Sequence, residues 1–231
     1  PDASRIFLMT GMAAGFAGLF QTPLAATFFA LEVLTVGELQ LMALYPALIA
    51  SIVASFTSHA LGLEKFAVPL KETLSWTSET LIKVALLGLA FGLAGKLFAV
   101  SLSWLKKTVA KVLPNPYIRI AVIGAGLSLI LLTLQLTKVG SYSGLGTNLI
   151  DVAFHQGSAQ SYDWILKLLF TVVTISAGYQ GGEVTPLFAI GTTLGVFLAP
   201  LLGLPVLVVA AIGYASVFGS ATTTLLAPIL I

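Results

Sequence analysis

Long apolar blocks, broken by short polar stretches, run from one end of this sequence to the other. Hydrophobic residues occupy 58% of the 231 positions and charged residues only 9%, whereas a soluble domain carries about a quarter charged residues. The blocks are apolar throughout and do not alternate apolar with polar residues, so they predict helices and not the strands of a membrane barrel. The fold class predicted is therefore all-α, a polytopic integral membrane protein.

Several classes of function find no support in the composition. A net charge of +2 gives no reason to expect a nucleic-acid partner, and a chain without cysteine has neither disulfides nor thiolate metal sites. His59 and His155 are too isolated to predict a metal site, and no carboxylate pair, nucleophile–base pair or phosphate loop is visible. We therefore expect no enzyme, metal or cofactor. Because the sequence starts at Pro1 and not at methionine, we also expect its true N-terminus to be missing.

The apolar blocks predict helices of unequal length. The first block is broken where Pro23 follows Gln21 and Thr22, which predicts two helices, the second opening at Pro23. Several later blocks fall below the roughly 20 residues that a full membrane span needs. Short helices broken by glycine and proline resemble the discontinuous helices of transporters, whose ends meet at a site near the bilayer midplane. The predicted blocks are 6–34, 39–63, 81–105, 118–136, 164–177, 186–204, 205–218 and 222–231.

Basic residues concentrate in one connection between blocks. Positive-inside bias predicts that this connection is cytoplasmic. Its four residues are Lys106, Lys107, Lys111 and Arg119. Three more lysines fall inside blocks, where we expect each ammonium group to extend to the membrane interface in a structural role. They are Lys83, Lys96 and Lys167.

Small residues recur in two patterns. The stretches "GMAAGFAGLFQTPLAATFFALEV" and "VAAIGYASVFGSATTTLLAPILI" align at an offset of 198, as from Ala13 to Ala211. Two interpretations stay open: the stretches belong to related halves of the chain, or their small residues are generic helix-packing positions. The second pattern, Gly88, Gly92 and Gly95, predicts a close-packing stripe on a helix and not a nucleotide-binding fingerprint.

Two carboxylates lie deeper in the blocks than the other charges. For Glu32, near the end of its block, an exposed helix terminus is the favoured interpretation. Glu183 lies in "AGYQGGEVTPLFAIG". There Pro186 suits the first helical position, which would make Thr185 the cap and place Glu183 two residues before the helix. The free N–H groups and positive dipole end of that helix suit a small anion, with no lysine or arginine nearby in sequence.

Two roles are open for Glu183. Burial of a carboxylate in a membrane protein is costly and is typical of function, and the same group can carry a proton. The structural alternative is that Glu183 caps its own helix by accepting hydrogen bonds from the first N–H groups. Gly181 and Gly182 just before it allow a sharp turn and a close approach of the backbone.

Three stretches together resemble the CLC family of chloride channels and anion/proton antiporters. "FQTPLAATFFALEV" is similar to the family's Asn-Ala-Pro-Leu-Ala helix, and "SGLGTNLI" is similar to its Ser-Gly-x-Gly-x-Asn-Leu-Ile segment. "GGEVTP" occupies the place of Gly-Gly-Ile-Phe-Ala-Pro, whose backbone N–H groups bind the central anion. The resemblance implies a CLC-type inverted-repeat bundle with broken helices. Residues 1–80 would end the first repeat, and residues 81–231 would form most of the second.

Departures from the common pattern point to one branch. "GYQGGEVTP" resembles the fluoride-exporting branch, CLC-F, which exchanges fluoride for protons in bacteria. Val33 stands where proton-coupled chloride exchangers often carry an inner glutamate, and Glu32 holds the acidic position before it. The gating-glutamate segment and the final helix of the family are not found, so the resemblance implies a fragment.

The resemblance also implies a function and a site. It implies fluoride/proton antiport by a multi-pass homodimer in the bilayer of a bacterial inner or plasma membrane, with fluoride or chloride and protons as partners. Glu183 would transfer protons. The anion-binding residues would be Gly182, Val184, Thr185 and Pro186. Two alternatives stay open: a CLC chloride channel or chloride/proton exchanger, and a membrane assembly module that transports nothing.

Overall fold

The computed structural model describes residues 2–64, 67–69, 72–136 and 142–231, and within these ranges every regular element is a helix. The fold class is therefore all-α, as predicted. Ten α-helices and one short 3-10 helix occur there. They are α1 Asp2–Phe20, α2 Pro23–Glu32, the 3-10 helix Leu41–Ala43, α3 Leu44–Ala60, α4 Ser78–Val112, α5 Pro116–Leu136, α6 Thr147–Gln156, α7 Asp163–Ala177, α8 Val184–Leu202, α9 Val206–Thr222 and α10 Leu226–Leu230.

Most predicted blocks correspond to these helices. The break at Pro23 is confirmed, since α1 ends at Phe20 and α2 begins at the proline. The main addition is α6, which lies inside the glycine- and serine-rich stretch that follows α5. Glycines in the left-handed conformation flank it on both sides, Gly146 with φ 89° and Gly157 with φ 59°. The turn residues that make this stretch look like a loop are thus the boundaries of a short helix.

Five helical stretches are long and apolar enough to cross a membrane. The chain is therefore a multi-pass membrane protein. Helices can cross a bilayer because each one satisfies its own backbone hydrogen bonds where no water is present. The five stretches are Ala3–Phe20, Leu41–Ala60, Ser78–Val112, Pro116–Leu136 and Val184–Leu202.

The helices form two compact units. The first unit comprises the described residues of Pro1–Pro69 together with Thr222–Ile231. In it α1 packs against α3 and α2, and α2 also packs against α10. A buried hydrogen bond of 2.8 Å between the hydroxyls of Thr27 and Ser51 joins α2 to α3. The core of this unit consists of Met9, Ala13, Ala30, Leu31, Ala43 and Ala47.

Glu32 is buried in the first unit, so its prediction as an exposed helix terminus is wrong. The residue is only 9% exposed. Its carboxylate accepts hydrogen bonds from the backbone N–H groups of Leu225, Leu226 and Ala227, at 3.1, 2.8 and 3.2 Å. These donors lie at the start of α10, where N–H groups have no partner within the helix. The end of α2 thus holds the start of α10.

Replacing Glu32 with glutamine is expected to destabilise the protein by about 1.5–3 kcal/mol, the range for hydrogen bonds to a charged group. The glutamine amide has one acceptor oxygen, and its NH₂ group would face a backbone donor. Thermal unfolding of the detergent-solubilised protein measures this loss. Glu38→Gln is the matched control, because Glu38 lies exposed in the segment after α2. Equal unfolding temperatures for the two variants would contradict the tethering role.

The second unit comprises the described residues of Leu70–Ala221. In it α7 packs against α8, both α4 and α5 pack against α7, and α6 packs against α8. Twelve of the 19 residues of α8 are buried, whereas none of the residues described for α5 is buried. The helix predicted to bear the functional site is therefore enclosed by its neighbours. The boundary between the units does not follow the predicted repeats, 1–80 and 81–231, which stay a prediction.

Glycines allow α8 and α9 to approach closely. A Cβ atom on Gly191 of α8 would lie 2.0 Å from the carbonyl oxygen of Gly213 on α9. Next to this contact the rings of Phe188 and Tyr214 stack with centroids 3.9 Å apart. Of the three glycines in the predicted stripe on α4, Gly95 packs closely, since a Cβ there would lie 2.7 Å from the Ser220 side chain, whereas a Cβ at Gly92 would meet nothing within 4 Å. A Cβ at Gly88 would meet nothing within 4 Å.

Lys167 on α7 does not extend to an interface, so that prediction is wrong. The residue is 1% exposed. Its ammonium nitrogen donates to the carbonyl oxygens of Tyr142 at 3.2 Å and of Gly144 at 2.7 Å. The Tyr142 hydroxyl in turn donates to the Asp163 carboxylate at 2.6 Å. These bonds compensate the burial of the charge, and they fix the segment before α6 to the first turns of α7.

Candidate functional site

The start of α8 differs from its prediction by two residues. Pro186 is the third residue of the helix and not the first, since α8 begins at Val184. Glu183 occupies the cap position that was predicted for Thr185. Proline fits here because N–H groups of the first turn need no partner inside the helix.

The first turn of α8 leaves backbone donors free. The first hydrogen bond of the turn runs from the N–H of Leu187 to the carbonyl of Glu183, at 3.1 Å. Among the described residues, the N–H groups of Val184 and Thr185 have no hydrogen-bond acceptor. A helix N-terminus with free donors carries partial positive charge and suits a small anion. The predicted anion-binding residues Gly182, Val184, Thr185 and Pro186 all lie on this turn and the loop before it.

Glu183 is half exposed and faces a basic residue. Its side chain is 41% exposed, so the expected burial is not observed. The carboxylate makes no hydrogen bond to its own helix. Instead it lies 3.7 Å from the ammonium nitrogen of Lys106 on α4. No lysine or arginine is near Glu183 along the sequence, but α4 brings Lys106 close to it in space.

Side chains and backbone of α5 anchor the loop that leads to Glu183. The guanidinium Nε of Arg119 donates to the carbonyl of Ala177 at 3.0 Å, where α7 ends. The Tyr179 hydroxyl donates to the carbonyl of Ile120 at 3.1 Å. The Tyr179 side chain lies against Gly124, where a Cβ would be 1.9 Å from the Tyr179 hydroxyl oxygen. The start of the loop is therefore fixed on α5.

Two residues of the predicted basic connection thus contact the loop of the site, Lys106 at Glu183 and Arg119 at Ala177. In the sequence these charges predict only the membrane topology. Lys106 lies near the end of α4 and Arg119 near the start of α5, and nothing in these positions predicts a contact with residues 177–183, which lie much later in the chain. The packing of α4 against α7 and α8, and of α5 against α7, brings them together.

The arrangement combines three groups with different chemistry. The free N–H groups of α8 can bind an anion, the Glu183 carboxylate can compete for the same donors or carry a proton, and the Lys106 ammonium can pair with either. The described residues contain no group of three or more histidine, cysteine or acidic side chains placed to hold a metal ion. The chemistry is that of anion binding beside a titratable group.

Fold and site define a multi-pass helical membrane protein with an anion-compatible helix end. Comparison with known proteins identifies its family. The model of the family described as "Voltage gated chloride channel" matches residues 1–231. The chain belongs to this family, and the resemblance seen in the sequence is confirmed.

The relatives divide by the ion in their names. A "Chloride/fluoride channel protein" of Pseudomonas syringae pv. tomato is 39% identical over 228 residues, 97% of this chain and 50% of that protein. An "H(+)/Cl(-) exchange transporter" of Cronobacter sakazakii is 27% identical over 84% of this chain and 42% of that protein. The chain spans about half the length of the relatives it matches.

A solved structure supports the fold directly. The "Crystal structure of a CLC-type fluoride/proton antiporter" is 55% identical and superposes with a TM-score of 0.92, over 96% of this chain and 55% of that one. The predicted CLC-type helical fold is therefore confirmed.

Proposed function

We propose that this chain forms part of an antiporter that exports fluoride in exchange for protons. The observation that carries the proposal is the free N-terminal turn of α8 directly after "GGE", with a titratable carboxylate at its cap. The 55% identity to a structure titled as a fluoride/proton antiporter supports fluoride as the anion.

Fluoride is small and accepts strong hydrogen bonds, so it suits a compact set of donors. In the proposed site the backbone N–H groups of Val184 and Thr185 bind the anion, and the Thr185 hydroxyl adds a third donor. Gly182 allows the close approach, and Pro186 fixes the turn without using a donor. The α8 dipole contributes partial positive charge without a net charge that would trap the ion.

Exchange follows from competition for the same donors. When ionised, the Glu183 carboxylate is attracted to the α8 N-terminus and opposes an anion there. When protonated, it loses this attraction and leaves the donors to fluoride. The ionised carboxylate and fluoride thus exclude each other at α8, and this exclusion couples the proton step of Glu183 to the movement of the anion. The apolar side chain of Val33 cannot carry a proton, so Glu183 is assigned the proton step in this part of the chain.

We further propose a homodimer in the inner or plasma membrane of a bacterium. The apolar surface of α5, none of whose described residues is buried, suits contact with lipid. The connection between α4 and α5 is assigned to the cytoplasm from its basic residues. Fluoride would then reach α8 past Lys106 from the cytoplasmic side.

Fluoride efflux from proteoliposomes tests the proposal. We expect the full-length protein that contains this chain to release fluoride, recorded with an ion-selective electrode, and to take up protons in parallel. Chloride-loaded vesicles serve as the matched control, and we expect slower release from them. Faster chloride than fluoride release would favour the chloride channel or exchanger, the alternative that the 27%-identical relative supports. Absence of any anion release would favour a membrane assembly module.

A further inference from the structure

We propose that Lys106 is a positioning residue for Glu183, holding its carboxylate away from the anion-binding turn of α8. The inference rests on the proposed function and adds a residue that the family resemblance did not point to. In the structure the Glu183 carboxylate is directed to Lys106 on α4, 3.7 Å away, and not to the helix that it caps.

The start of α8 explains why the carboxylate does not cap. A cap side chain normally accepts a hydrogen bond from the second or third helical N–H. Pro186 is the third residue of α8 and has no N–H, so only Thr185 offers such a donor. Pro186 therefore weakens the attraction of Glu183 to its own helix, and the Lys106 ammonium competes with the one donor left.

The ion pair between Lys106 and Glu183 can break and form again easily. Both side chains are about half exposed, 48% for Lys106 and 41% for Glu183, and a separation of 3.7 Å is at the long end of ion pairing. Such pairs are weak because water screens them. Arg119 and Tyr179 anchor the start of the loop on α5, so moving the carboxylate requires only rotation of the Glu183 side chain.

Glu183 therefore has two partners, Lys106 and the α8 N-terminus. With Lys106 present, the ionised carboxylate is divided between this cation and the α8 N-terminus, so it competes less strongly with fluoride for the turn of α8. Without Lys106, the ionised carboxylate is attracted mainly to the positive N-terminal end of α8. It then competes more strongly with fluoride for the N–H groups there. Loss of Lys106 should thus weaken fluoride binding through Glu183 and leave the transport step itself intact.

The experiment compares five variants of the full-length protein, Glu183→Gln alone among them, using fluoride binding by titration calorimetry and fluoride efflux. We expect Lys106→Met to raise the Kd and the half-saturating fluoride concentration about threefold, on the order of one exposed ion pair, with the maximal rate retained. Lys106→Arg keeps the charge and should restore both values. Lys107→Met removes the neighbouring charge on α4 and should change neither.

The decisive arm is Lys106→Met in a Glu183→Gln background. Glutamine cannot carry the charge that Lys106 holds, so we expect removal of Lys106 to have no further effect on the Kd there. An equal rise in both backgrounds would overturn the inference and show that Lys106 attracts fluoride directly. An unchanged Kd in Lys106→Met alone would overturn it as well. Proton-coupled fluoride efflux by the unmodified protein tests the proposed function. The coupling between Lys106 and Glu183 is tested separately, because it is measured as a change in the Kd for fluoride.

Discussion

Replacing Glu183 with glutamine is expected to reduce proton flux driven by a fluoride gradient by about a hundredfold or more, because a positioned proton-transfer group typically contributes about 10²–10⁴-fold to a rate. Glutamine keeps the size and hydrogen-bonding capacity of the side chain but does not ionise. Anion binding should persist, since the backbone N–H groups of Val184 and Thr185 are unchanged. Parallel recording of proton and fluoride fluxes in proteoliposomes holding the full-length protein measures both effects.

Thr185→Val supplies the contrasting variant on the same turn. It removes one hydroxyl at nearly constant volume, so fluoride binding should weaken by about 0.5–1.5 kcal/mol, the usual contribution of one hydrogen bond. Each fluoride ion that still crosses should remain coupled to proton movement. Normal coupled exchange in Glu183→Gln would instead assign that residue a purely structural place at the start of α8.

Replacing Gly191 with alanine is expected to destabilise the second unit by about 3 kcal/mol or more, at the upper end of the cost of overpacking. The new Cβ would lie 2.0 Å from the carbonyl oxygen and 2.6 Å from the carbonyl carbon of Gly213. Both are backbone atoms of α9, so relief requires that the two helices move apart. Phe188 and Tyr214, stacked beside the crossing, would separate with them.

Thermal unfolding in detergent, together with the yield of folded protein, measures this loss. Gly88→Ala on α4 is the matched control, because a Cβ there meets nothing within 4 Å. Alanine inside a helix is otherwise favoured over glycine by roughly 0.5–1 kcal/mol. We therefore expect opposite shifts in unfolding temperature for the two variants. Equal shifts would mean that α8 and α9 can separate at little cost.

The positions of most helices could be predicted because they depend on local properties. Apolar run length and the break at Pro23 are read directly along the chain, and they define α1, α2 and α5 closely. The helix α6 was harder to predict because its ten residues are flanked by Gly146 and Gly157, which look like parts of one long loop. Short helices receive much of their stability from packing, here against α8, and local sequence reports that packing weakly.

The surroundings of the charged residues could not be predicted in the same way. A carboxylate near the end of an apolar block usually reaches water, so the sequence predicts an exposed terminus for Glu32. Its actual partners at Leu225 to Ala227 lie almost the whole chain away. Lys167 likewise finds carbonyl oxygens in the segment before α6 and not at a membrane interface. Burial of a charge depends on compensating groups that distant segments supply.

The sequence by itself determined the membrane class, the family and the segment that carries the candidate site. Unpaired backbone groups are costly in lipid, so a membrane span needs a continuous apolar run that can form a helix. Such runs, and the glycines and prolines that break them, can be read directly along the chain. Tertiary structure decided how the site is surrounded: Pro186 as the third residue of α8, Glu183 half exposed, and Lys106 opposite it. Electrostatic contacts act over a few ångströms in space, so their partners emerge only when α4 and α5 pack against α7 and bring the basic residues to the loop before α8.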